Sequence, residues 1–241
     1  MFSDLLTLNY LSSGRPEIMS AKDFFLAVWD FFGQGTFTGT AADNAPFLIT
    51  DTSSSGTPTY AYVDGSATGE LKVDLASTNE VENVCVSMGD VLQFDIDNIV
   101  EVEYRVKMNQ AALTSGTSLA FGVAGDRNDA IDSIAQAALF RLIAADSTTL
   151  VVCESDDGTT DKDDVATGKT LINAYKDFKI SFACGKSDVR FFIDGEPVAT
   201  GTVFDMSAYS GQLQPFMQLQ KTATTAVDGF TVDRISIRGR R

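Results

Sequence analysis

The chain has 241 residues, 44% of them hydrophobic, with 33 acidic and 18 basic side chains and a net charge of −15. A surface of that sign repels phosphate backbones and anionic lipid, so neither nucleic acid nor membrane is an expected partner. The apolar residues fall in short runs, the longest from Phe24 to Phe32 and broken by Asp30, well short of a membrane span.

At the N-terminal end, Ser20-Ala21-Lys22-Asp23 resembles a capping box with Asp in place of Glu. Phe24, Phe25, Val28, Trp29 and Phe32 follow at helical spacing, and Gly33 and Gly35 end the run. This pattern predicts a short amphipathic helix over residues 21–32, inside an N-terminal arm of residues 1–35. Two roles are open for it. The helix can cap the end of the domain that follows, or those five apolar residues can dock on a neighbouring subunit.

From residue 36 to 241 the expectation is a single jelly roll. Its clearest strand is Ile99 to Met108, where Val100, Val102, Tyr104, Val106 and Met108 alternate with Glu101, Glu103, Arg105 and Lys107. Such alternation marks an antiparallel strand with one face in the core and a charged face in water. Leu92/Phe94/Ile96, Leu119/Phe121/Val123, Phe140/Leu142, Leu150 to Cys153, Phe178/Ile180/Phe182, Val189/Phe191/Ile193 and Leu213/Met217/Leu219 repeat the signal. Residues 126–138 are less regular, and Ile131, Ile134 and Ala135 suggest one helical turn or a loop crossing the sheet. In the last strand the apolar parity switches between Phe230/Val232 and Ile235/Ile237, which predicts a bulge near Asp233-Arg234. Turns are signalled at Asp64-Gly65, Asp157-Gly158, Asp194-Gly195 and Asp228-Gly229. The fold class is therefore all-β, an antiparallel two-sheet sandwich. Cys85, Cys153 and Cys184 form no CxxC pair and are expected as buried, reduced thiols.

Catalytic constellations are missing. The sequence holds no histidine, which removes Ser-His-Asp and Cys-His triads and HExxH zinc sites. Gly168-Lys169-Thr170 imitates the end of a phosphate loop, but Asp163 stands where the earlier glycine belongs. Glu154 and Asp156 match the first two acids of a laminarinase-like glycosidase strand, but the third position is Thr159. A two-carboxylate mechanism has no second carboxyl there, so no enzyme is expected. The acidic stretch from Glu154 to Asp164 is either a solvated loop or a Ca²⁺ site, with Glu154, Asp156, Asp157 and Asp161 as candidate oxygen ligands. Glu101/Glu103 and Asp95/Asp97 are expected on a solvated face beside Arg105 and Lys107.

Tyr175-Lys176-Asp177-Phe178-Lys179-Ile180-Ser181-Phe182, followed by Asp188-Val189-Arg190-Phe191-Phe192-Ile193-Asp194-Gly195-Glu196-Pro197-Val198, resembles the strand and hairpin signature of concanavalin A-like and laminin-G-like domains. Leu213 to Gln220 and Val232 to Ile237 resemble the closing strands of the same jelly roll, as found in virion proteins of tailed phages. The resemblance implies a virion structural protein made in the host cytoplasm, such as a capsid decoration (cement) or fibre protein. Its implied partners are a major capsid or other virion protein and further copies of itself. The alternative it leaves open is a lectin-like carbohydrate-binding module, with or without Ca²⁺. Against the sugar-binding lectins, Trp29 is expected outside the sandwich region, and only 6 Tyr are present to form a stacking platform.

Overall fold

A computed structural model describes residues 7–10, 16–19, 23–31 and 47–241. The strands are β1 (Thr7–Tyr10), β2 (Pro16–Met19), β3 (Phe24–Trp29), β4 (Leu48–Asp51), β5 (Thr59–Tyr62) and β6 (Leu71–Asp74). Then come β7 (Glu80–Ser87), β8 (Phe94–Asp95), β9 (Ile99–Met108), β10 (Thr117–Ala124), β11 (Ala137–Ile143) and β12 (Leu150–Asp156). The set ends with β13 (Asp161–Thr170), β14 (Lys176–Ser181), β15 (Arg190–Ile193), β16 (Glu196–Val198), β17 (Gln212–Thr224) and β18 (Gly229–Arg240).

Two eight-stranded antiparallel sheets form the sandwich. Sheet 1 runs β13-β12-β11-β10-β17-β7-β4, with β8 also on β17. Sheet 2 runs β16-β15-β14-β9-β18-β6-β5, with β3 also on β18, and β1 and β2 make a separate pair. The inward face of sheet 1 carries Cys153, Phe140, Phe121, Met217, Val86 and Ile49 side by side across six strands. Sheet 2 answers with Ile193, Phe178, Tyr104 and Ile235 in one row. Phenylalanine rings interlock between the sheets, Phe121 edge-on to Phe178 at 4.8 Å and Phe140 edge-on to Phe191 at 5.1 Å. Burial of this apolar surface is the main stabilising term.

Tyr104 ties the layers together by a polar contact. Its hydroxyl donates to the Gly122 carbonyl at 2.5 Å and accepts the Phe216 N–H at 3.2 Å, so a side chain of sheet 2 enters the β10–β17 ladder of sheet 1. Glycine is needed at 122, since a Cβ there would sit 2.2 Å from the Ala138 carbonyl oxygen. Burial drives the Tyr104 phenol far above its ordinary pKa, so it stays a neutral donor.

The strand over Ile99–Met108 has the predicted bounds. The register of β18 against β9 shifts between Val232 and Arg234, and the extra residue keeps Phe230, Val232, Ile235 and Ile237 all in the core. Asp194 and Gly195 adopt φ of 52° and 80°, and Ile193 pairs with Glu196, giving a two-residue hairpin turn.

The helix expected over 21–32 is corrected to strand β3. It pairs with the C-terminal half of β18, Trp29 opposite Ile235 and Phe24 opposite Arg240. β6 covers only Gly229–Val232 of that edge, so the remaining backbone groups of β18 need a second partner. The aromatic and branched composition of Phe24–Trp29 suits a strand, and pairing decides the outcome. Strand parity then splits the five candidate docking residues. Phe25 and Trp29 pack on the core, with Trp29 edge-on to Phe47 at 5.3 Å. Phe24 lies beneath the Arg238 guanidinium and Val28 is exposed, while Phe32 lies outside the described residues. A second correction concerns the thiols. Cys85 and Cys153 are buried, but Cys184 is exposed, because it sits in the turn after β14 and not within it.

Candidate functional site: a cleft on the outer face of sheet 1

The outward positions of sheet 1 carry an uncharged row, Ala120, Gln218, Cys85 and Thr50, ending in Arg141 on β11. The small residues Ala120, Gly122 and Ala124 leave room above β10. A strap, residues 126–135, occupies that room, its ends joined by Gly125 N–H to Gln136 O at 2.8 Å. The strap contains one 3-10 turn, Ile131–Ser133, so both features read from the sequence occur together. Ile131 and Ile134 lie buried against Leu139, Phe216, Ala120 and Cys85 in a second, smaller apolar cluster.

Polar side chains fix the strap. Asn83 Nδ2 and Gln218 Nε2 donate to the Asp129 carbonyl at 3.0 and 3.1 Å. Asp129 Oδ1 accepts from Arg127 at 2.6 Å and Thr52 Oγ1 at 2.8 Å. Arg127's hydrogen bond, with that of Thr52, outweighs burial and holds the Asp129 carboxyl below its usual range. Beside this edge of the strap opens a cleft of about 420 Å³. Asn83, Ser118 and Gln220, in one cross-strand row, line it together with Asp129 and Ala130 of the strap. Asn83 is only 5% exposed, and its Oδ1 has no partner among the described residues. The orientation of that amide follows from its neighbours, since Nδ2 faces two oxygens of Asp129.

Below the row, Lys221 is fully buried. Its ammonium donates to the carbonyls of Ala76 at 2.5 Å, Thr78 at 2.9 Å and Ala226 at 3.2 Å, with Glu82 at 3.6 Å. Glu82 in turn accepts from Ala76 N–H and Thr78 Oγ1. This ion pair fixes the end of the sandwich on which the cleft sits.

The acidic hairpin is organised differently. Glu154 faces outward on β12 and pairs with Arg141, which also bonds Asp132 of the strap and lies 3.5 Å from Asp164. Burial pushes the Glu154 carboxyl up to about 7, Arg141 opposing and Asp163 and Asp164 adding to the rise. Asp156 accepts the Gly158 N–H at 2.7 Å. Asp157 accepts from Thr159, Thr160 and Ala208 N–H groups; burial alone would raise its carboxyl, but these bonds hold it below the usual range. Asp161 opens β13, and burial and then Asp163 raise its carboxyl. Of the two readings of this stretch, the solvated loop fits the arrangement, since the four candidate Ca²⁺ ligands are not drawn together. Glu154 serves Arg141, Asp156 and Asp157 serve their own turn, and among the described residues no group of three or more such side chains could hold a metal ion. Glu154 and Asp156 share a face, but Thr159 lies in the turn and supplies no acid. Gly168-Lys169-Thr170 ends strand β13 instead of opening a helix, and Lys169 binds Glu196.

A larger cavity, about 680 Å³, lies at the far edge of sheet 2 between β15, β16 and the loop to Phe204. Its charged residues, Arg190 and Asp188, are satisfied by each other at 2.6 Å. The sheet 1 cleft is the better candidate, because it has a buried polar atom still lacking a partner.

Sequence reasoning missed Asn83, Ser118, Asp129 and Gln220. One signal was present: Gln214, Phe216, Gln218 and Gln220 alternate against Leu213, Met217 and Leu219, an outward face without charge on a very acidic protein.

This two-sheet jelly roll is shared with solved structures of low sequence identity. A protein of unknown function from Shewanella oneidensis MR-1 superposes with TM-score 0.60 at 12% identity, over 91% of this chain and 88% of that one. The carbohydrate recognition domain of Emp47p gives TM-score 0.55 at 9% identity, over 86% and 94%. A structure reported for endo-acting O-glycanases of the human gut microbiota that initiate mucin breakdown gives TM-score 0.55 at 10% identity, over 88% and 97%. No protein-family model matches the chain, and no curated protein matches it.

Proposed function

We propose that the chain is a carbohydrate-binding domain that holds a saccharide in the sheet 1 cleft without cleaving it. The observation that carries this reading is the buried, unpartnered Asn83 Oδ1 beside Ser118 and Gln220. A buried acceptor without a partner costs free energy, and a ligand hydroxyl that reached it from the cleft Asn83 lines would recover it. The carbohydrate recognition domain among the similar folds makes saccharides the first ligands to test. Non-catalytic binding is supported by Glu154, whose carboxylate is closed off by Arg141. The test is a glycan array with the parent chain, Asn83→Ala and Ser118→Trp, which fills the cleft. Binding by the parent and its loss in both variants is expected, at unchanged melting temperature in Ser118→Trp, while Asn83→Ala, which also loses a strap anchor, should melt lower but still fold. Retention by Ser118→Trp would refute the site.

A second reading keeps the chain as a virion surface protein, a capsid decoration protein that docks on a shell protein as a homo-oligomer. Its support is β3, where Leu26 is 65% and Val28 44% exposed on the outer face of sheet 2. Co-sedimentation with bare capsids, lost in Leu26→Asp/Val28→Asp, would favour it, and a parent chain left wholly in the supernatant would count against it.

A further inference from the structure

We infer that the cleft selects uncharged saccharides and rejects acidic ones, so that its ligand is a neutral glycan presenting hydroxyl donors. This inference rests on the proposed saccharide site and concerns its selectivity. The Asn83 oxygen that lacks a partner is an acceptor, and Asp129, in the cleft wall, is a carboxylate. Both ask the ligand for O–H or N–H donors. Ser118 and Thr222 contribute hydroxyls, which can give or take a hydrogen bond.

Cations that would hold an acidic sugar are otherwise engaged. Among the described residues lining the cleft, Lys221 is the one cation, and its ammonium is enclosed by three carbonyls and Glu82. Arg127, next along the strap, is bonded to Asp129. A sialic or uronic acid carboxylate would therefore lie against Asp129 with no free cation beside it, in a protein already carrying −15. Like charges brought together in a partly desolvated cleft oppose binding, while a neutral hydroxyl suffers no such penalty. Because Arg127 keeps the Asp129 carboxyl below its usual range, the discrimination should persist into mildly acid solution.

The experiment measures binding to neutral oligosaccharides and to their sialylated and uronic-acid counterparts. The parent chain should bind at least one neutral oligosaccharide and hold the acidic counterpart at least about tenfold more weakly. Asp129→Asn should narrow that gap. Since Asp129 also anchors the strap, Gln220→Lys serves as an independent variant: it leaves the strap anchor in place, adds a cation to the row beneath the ligand, and should narrow or reverse the preference. Equal or tighter binding of the acidic forms, lost in Ser118→Trp, would overturn the selectivity and leave the saccharide site standing. Silence towards every saccharide would remove both.

Discussion

The outer faces of the two sheets differ in the way they meet water. Sheet 2 presents a ladder of ion pairs, Arg238 with Glu101 at 2.8 Å, Arg105 with Asp233 at 2.8 Å and Arg234 with Glu103 at 3.9 Å. Sheet 1 presents glutamine, alanine, cysteine and phenylalanine, covered along most of β10 and β17 by the strap. Over β10, β17 and β7 its outward rows carry no charge, Arg141 with its acidic partners lies towards the β12–β13 edge, and the Lys221–Glu82 pair is buried at the end of the sandwich. In a sandwich whose two sheets share one core, the uncharged outer face is where a second layer and a cleft have been built.

The largest effect should come from the buried end of that contrast. Lys221→Met leaves Glu82 charged and enclosed, and should cost about 3–5 kcal/mol in urea unfolding. Arg234→Met, on the solvated ladder, should cost less than about 1 kcal/mol. Similar values for the two would erase the distinction between the faces.

Ile131→Ala opens a cavity between strap and sheet. It should destabilise by about 2–5 kcal/mol, with hydrogen exchange accelerated first over residues 126–136. Uniform acceleration across both sheets would instead make the strap part of the main core. Tyr104→Phe removes the hydroxyl that completes the β10–β17 ladder, and should cost about 1–3 kcal/mol without changing the fold.

A subtler effect concerns Glu154. Its carboxyl is raised to about 7 in the folded chain, so the native state holds a proton that the unfolded chain has already released. The sign follows: this contribution is complete below the ordinary glutamate pKa and is lost as pH rises towards 7. Relative to Glu154→Gln, the parent should therefore lose stability between about pH 4.5 and pH 7. Parallel pH profiles would show that Arg141 keeps Glu154 ionised throughout.

The sequence was most informative where a single period decides the structure. β9 is legible because core and charged residues alternate without a break, and the β18 bulge is legible because parity can change only by inserting a residue. β3 was misread because Phe24, Phe25, Val28 and Trp29 satisfy a helical period as well as a strand, and the vacant edge of β18 that decides between them lies at the other end of the sequence, Ile235 opposite Trp29. The cleft escaped for a related reason. Asn83, Ser118, Asp129 and Gln220 come from three strands and a strap, and nothing local marks an asparagine whose oxygen will end up buried without a partner. The acidic hairpin left two readings open in the sequence, because a dense run of carboxylates suits a cation as well as water, and only the fold shows Asp156 and Asp157 serving nearby N–H groups and Glu154 serving Arg141.

The most direct test of the account is a titration of the isotope-labelled protein with the neutral oligosaccharide that binds best, followed by amide chemical shifts. The shifts should concentrate at Asn83, Ser118, Asp129 and Gln220, with sheet 2 silent. Shifts confined to Phe192 and Val203 at the opposite cavity, or to β3, would contradict it.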